Sequence, residues 1–78
     1  MFTAIVRSPS DFGMVLQQAR LAAGITQRDL AEQMGVSQKY VWEMESGKNV
    51  AAIERLLSAF TATGVKLIAE VPEGDLVG

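Results

Sequence analysis

Residues 27–47 read QRDLAEQMGVSQKYVWEMESG, and the fold is decided in this stretch. Two short amphipathic segments, one ending at Met34 and one beginning at Gln38, are joined by only Gly35, Val36 and Ser37. Helices joined so tightly cross at a steep angle, and the crossing constrains side-chain size. Ala31 has to be small because the second helix passes over it. Gly35 has to take a positive φ so that the chain can turn, which glycine does without a steric penalty. Leu30, Val36, Val41 and Met44 have to be apolar to hold the pair together. Each stands at the required offset. Thr26 opens the first segment with Asp29 three residues on, the spacing of a capping box, and Ser37 caps the second.

Outward from this pair, Ser8-Pro9-Ser10-Asp11 has the form of a helix start, with a capping hydroxyl, proline at the first turn and an acid three residues past the cap. The helix is expected to run to about residue 23. Phe12, Val15, Leu16, Ala19 and Ala23 fall on one stripe, and Gly24 supplies the left-handed end. Gly13 lies inside this helix at a cost of about 1 kcal/mol relative to alanine, which points to a close backbone approach. The second helix of the pair spans residues 38–45 and is followed by a loop, Ser46-Gly47-Lys48-Asn49. A further helix over residues 50–63 is expected to bury Ile53, Leu56, Leu57 and Phe60 before Gly64 stops it. Val65, Leu67, Ala69 and Val71 then alternate with Lys66, Ile68 and Glu70, the pattern of a strand. Residues 2–7 are β-prone and read either as a short strand or as an extended arm. Met14, Met34 and Met44 are expected as core filler. The organisation is thus an arm or strand over 1–7, a helical domain over 8–64, a strand over 65–71 and a loose tail over 72–78.

Composition bounds the function. Seventy-eight residues make one small domain, and the 49% apolar content suits a chain that hides surface against a second copy. The sequence has no cysteine and no histidine, so disulfides and zinc sites have almost nothing to be built from, and no metal or cofactor is expected. There is neither a phosphate-cradling glycine loop nor a nucleophile–base pair, so an enzyme is not expected. The net charge is −2, yet three of the nine acids follow the last basic residue, Lys66; up to that point seven basic residues face six acidic ones. No apolar run approaches the ~20 residues of a membrane span. The first ten residues lack a signal-peptide pattern. The expected location is the cytoplasm.

The string from Ala22 through Ser37, followed by Tyr40-Val41-Trp42-Glu43-Met44-Glu45-Ser46-Gly47-Lys48, resembles the Cro/CI-type (XRE) helix-turn-helix family over about residues 8–64. More narrowly, the chain is similar to HipB-like antitoxins in three features. These are the Ser8-Pro9 start, the Glu43-x-Glu45-x-Gly47-Lys48 ending, and a leucine-rich last helix that runs into a Gly64-Val65 strand. Two positions depart from that pattern. Val50 stands where a threonine or serine cap is common, and Trp42 where a small polar residue is usual. The resemblance implies a mainly α fold, a four-helix lambda-repressor-like domain whose C-terminal strand pairs across a dimer in an intersubunit sheet. Val65, Leu67, Ala69 and Val71 would be its dimerisation residues. It also implies a repressor that controls its own operon and binds a HipA-type kinase toxin. Two other readings stand beside it: a stand-alone or phage-type regulator with no toxin, and an interaction module whose main role is toxin neutralisation.

A helix of this kind fits the major groove of duplex DNA, and two copies would read an inverted repeat. With Val41 and Met44 directed inward, Gln38, Lys39 and Glu43 are the side chains left to reach base edges. Gln suits adenine, Lys guanine, and Glu the cytosine amine. Lys39 could equally meet a phosphate. The resemblance makes the first two residues after Ser37 the usual base readers. Phosphate contacts are expected from Gln27, at a helix N-terminus, and from Thr26, Ser37, Tyr40, Ser46, Lys48 and Asn49. Tyr40 has a second reading, packing over the preceding helix. Trp42 is expected on the outer side, covered by the amino-terminal arm, a nearby loop or a partner protein. The resemblance pairs Arg20 with Glu45 in a structural salt bridge.

Overall fold

The computed structural model describes residues 2–48 and 51–73. In chain order these form β1 (Phe2–Val6), α1 (Pro9–Ala22), α2 (Gln27–Met34), α3 (Gln38–Ser46), α4 (Ala51–Ala62) and β2 (Leu67–Val71). Asn49 and Val50, expected to end the loop and start the last helix, lie outside the described residues, as does the tail beyond Glu73.

Local signals in the sequence account for most boundaries. Ser8 accepts from the Asp11 N–H at 3.2 Å and Pro9 opens α1. The reciprocal half of a capping box is displaced by one residue, because the Asp11 carboxylate accepts from the N–H of Arg7 at 2.9 Å. At α2 the box is complete: Thr26 Oγ1 accepts from Asp29 N and Asp29 Oδ2 from Thr26 N, both at 3.0 Å. Gly35 ends α2 with φ 72°, and the Val36 N–H reaches back to the Ala31 carbonyl at 3.0 Å. This six-residue closure satisfies carbonyls that the helix end would otherwise leave open.

The core is centred on Val41, which is 0% exposed, with Ala31 buried beside it where α3 crosses α2. α1 packs chiefly on α3. That contact is closest at Gly13, where a Cβ would fall on the carbonyl group of Glu45 and 2.7 Å from the Met44 carbonyl oxygen. The glycine is therefore a packing requirement.

The amino-terminal segment is a strand. β1 and β2 pair antiparallel within the chain, with Val6 opposite Leu67, Ala4 opposite Ala69 and Phe2 opposite Val71. Residues directly opposite share a face. Val6 and Val71 are buried, and Ala4, Leu67 and Ala69 are half-buried. This face covers α1. Ile5 and Ile68, also opposite each other, lie on the outer face with Thr3 and Glu70. The strand partner that β2 has here is thus β1 of the same chain.

Several side chains expected inside are not. Met14 and Met34 are about half exposed. Met34 ends α2 beyond the crossing with α3, and Met14 lies one residue round the helix from Gly13, which makes the contact. Ala23, the C-cap of α1, is exposed. On α4 only Leu57 is buried among the described residues; Ile53 and Phe60 are half-buried and Leu56 is exposed. Val65 precedes β2 and is exposed.

Candidate nucleic-acid interface

The Gly35 turn presents the start of α3 to solvent. Ser37 caps it, its Oγ accepting from Tyr40 N at 3.0 Å. Gln38, Lys39, Tyr40 and Trp42 are exposed, while Val41 points into the core and Met44 and Glu45 are half-buried. The same helix therefore has an anchored carboxy-terminal half and a projecting amino-terminal half. Tyr40 is exposed at the surface rather than enclosed over α2. Glu43 is half-buried, and its carbonyl accepts from Ser46 Oγ at 3.0 Å and from Lys48 N at 2.9 Å.

The anchor is an ion pair with little exposure. Arg20 Nε donates to Glu45 Oε2 at 2.6 Å, Arg20 Nη2 to Glu45 Oε1 at 3.3 Å, and Arg20 Nη1 to the Ile25 carbonyl at 3.0 Å. Its two side chains are 9% and 4% exposed. One guanidinium thus ties α1, the turn after it and the end of α3 into one frame. Burial alone would push the Glu45 carboxyl up; hydrogen bonds from Arg20 and Gln27, with the Arg20 charge, outweigh this and hold it below the usual carboxylate range. The Glu45 hydrogen bond likewise raises the Arg20 guanidinium. At the start of α2, the Thr26 backbone N–H and hydroxyl keep the exposed Asp29 carboxyl low.

This network changes the reading of Gln27. Its side-chain amide donates to Glu45 Oε1 at 2.9 Å, so part of its hydrogen-bonding capacity is spent within the fold. What the α2 N-terminus still offers is backbone: the N–H groups of Gln27 and Arg28 precede the first intrahelical bond, made by Leu30 N to Thr26 O. Such groups favour anions. Thr26 and Ser37 act as caps, and the Ser46 hydroxyl bonds back to its own helix. Asn49 lies outside the described residues. Lys48 follows the left-handed Gly47 and stands over the Trp42 ring, 4.9 Å from its centroid. The loop covering Trp42 is its own helix's C-terminal turn, and β1, the expected arm, pairs with β2 instead.

The projecting set is therefore Gln38, Lys39, Tyr40, Trp42 and Lys48, backed by the start of α2. All but Trp42 are among the binding residues expected from the sequence. Its signal was a large aromatic on an outer helical position, which spacing alone does not assign.

A family model described as a helix-turn-helix domain matches residues 11–70. The chain belongs to the helix-turn-helix domain family. Its function at that level is DNA binding in transcription regulation, and α2 and α3, joined by a three-residue turn, have the form of the motif. The match begins within α1 and ends within β2. No curated protein and no solved structure matched the chain. Among the described residues, no helix is long and apolar enough to cross a membrane.

Proposed function

We propose that this helix-turn-helix protein is a repressor that binds an inverted-repeat operator as a dimer. The observation that carries the reading is the exposure of Gln38 and Lys39 at the free end of a helix whose other end is anchored through Val41 and Glu45. Base discrimination then comes from Gln38 and Lys39, with Glu43 behind them. Phosphates are met by the α2 N-terminus, Lys48 and the hydroxyls of Thr26, Ser37, Tyr40 and Ser46. Repression follows from occupying the promoter and needs no chemistry.

Dimerisation is supported by the apolar side chains that one chain leaves uncovered. Ile5, Val65 and Ile68 on and beside the ribbon, and Leu56 on α4, are all about half exposed. Leu67, Ala69 and Val71 face their own core, so the dimer contact is assigned to Val65, Ile68, Ile5 and the open ribbon edge. Two such subunits would set their recognition helices about 34 Å apart, one turn of duplex. The sequence resemblance further supports an antitoxin role against a HipA-type kinase, in the cytoplasm, with control of the shared operon. Co-expression with a kinase encoded by a neighbouring gene should then abolish its toxicity.

The test is genomic selection of bound fragments with purified protein, followed by Gln38→Ala with Lys39→Ala. Discrimination between the selected site and random DNA should vanish while helical circular dichroism is retained. Specific binding that survives the double substitution overturns the assignment of α3.

A further inference from the structure

We infer that Trp42 and Lys48 form one cation–aromatic unit that seats a DNA backbone phosphate at the edge of the groove, adding sequence-independent affinity. The inference rests on the DNA-binding reading above and assigns a function to the one projecting aromatic that this reading leaves without a task.

Trp42 stands one helical turn beyond Gln38, and residues four apart share a flank of a helix. It therefore borders the base-reading end of α3. Its ring is 47% exposed, much apolar area to leave in water. It also borders a hollow of about 210 Å³ shared with Gln17, Gln27 and Ser46, on the side of α3 that faces the start of α2. The carboxylate in that hollow, Glu45, is already held by Arg20 and Gln27. Trp42 thus lies between the base-reading residues and the helix start that favours anions.

The cation is placed by the fold. Gly47 takes φ 77°, and a Cβ on it would lie 3.1 Å from the Ser10 backbone, so the turn is seated against α1. The Lys48 N–H is fixed to the Glu43 carbonyl. The ammonium, 4.9 Å from the ring centroid, is within the ~6 Å range of cation–π attraction. Among the described residues the indole N–H has no acceptor, and Lys48 is the one polar partner of Trp42. The ammonium over a half-exposed ring presents a positive charge and its hydrogen-bond donors at this edge of α3. Their complement is a compact anionic oxygen group, and the phosphates that line a duplex groove are such groups.

Trp42 is the single tryptophan of the chain, so its emission reports this contact directly. The probe is a mixed-sequence duplex of about two helical turns at low salt, since a phosphate contact is indifferent to sequence. Binding should change the indole emission and shield it from acrylamide, and added salt should reverse both. Trp42→Ala and Lys48→Met should each weaken binding about tenfold, and the double variant should be no weaker than about the poorer single one. Trp42→Phe keeps a ring under the cation without the N–H and should fall between. Lys48→Met should also lower the salt slope by about one phosphate.

Duplex binding that leaves emission unchanged, or a Trp42→Ala protein that binds like the parent, overturns the inference but leaves the DNA-binding reading standing; Trp42 would then be a surface for a protein partner. Fully multiplicative losses, about a hundredfold in the double variant, overturn the single unit. A parent protein that binds no duplex at all overturns both readings.

Discussion

Where α1 crosses α3 there is no room for a methyl group, since a Cβ on Gly13 would overlap the Glu45 carbonyl. Where α4 faces the ribbon, a cleft of about 430 Å³ stays open between Leu57, Phe60, Val65 and Leu67. The first contact joins two backbones, closes around Val41 and is tied by a little-exposed ion pair. The second buries Leu57 and leaves Leu56, Val65 and Ile68 half in water. The α1–α3 side positions α3, the helix proposed to read base edges, and such a reader has to be held within a fraction of an ångström. The α4–ribbon side has no such task within one chain. Its incomplete burial fits a surface that a second subunit completes.

The sharpest way to break this contrast is Gly13→Ala. Helix propensity alone would favour alanine by about 1 kcal/mol. The overlap is with backbone, which has no rotamer to retreat into, so a loss of about 3 kcal/mol or more is expected. A thermal melt that rises instead of falling would show the α1–α3 contact to be loose.

Next is Glu45→Gln, which leaves Arg20 buried without its counter-charge. Breaking one side of such a pair costs about 3 kcal/mol. The change also carries a pH signature. The Glu45 carboxyl is lowered in the folded protein, so its contribution is present above the ordinary carboxylate pKa, about 4.3, and is lost as pH falls through the lower folded value. Denaturant titrations from pH 7 down to pH 3 should show a shallower acid limb in the variant. An unaltered limb would mean that the ion pair contributes nothing to the frame.

The smallest expected effect on the fold belongs to the other region. Ile68→Thr keeps a β-branched residue on the outer face of β2 and should change stability by no more than about 0.5 kcal/mol. Its effect should appear in assembly, as a fall in sedimentation mass toward that of one chain. A mass that stays dimeric removes the ribbon face from the contact.

The same two regions differ in how far they could be read in advance. The Thr26–Asp29 box, the Gly35 turn, the Ser37 cap and the inward Val41 are signals within a few residues, and they specify α2, α3 and their crossing. Gly13 announced a close approach without naming its partner. The contact of Gln27 with Glu45 was not legible, because the residue that takes its amide is eighteen positions away. Met34 and Leu56 stood at plausible core spacings, but spacing cannot say where a neighbouring helix stops. The strand pattern of residues 65–71 foretold a strand and an inward side, not a partner; that β1 would supply it depends on where α1 brings the amino terminus.

By itself the chain of residues determined the tight two-helix motif, because caps, a left-handed glycine and a small residue under the crossing act over distances shorter than one helix. Tertiary packing alone decided which polar groups remain available. It joined the Gln27 side chain to the Arg20–Glu45 network, and it set Lys48 over Trp42 at the rim of α3. Those outcomes turn on contacts between elements far apart in sequence, where hydrogen-bond partners are chosen by position in space.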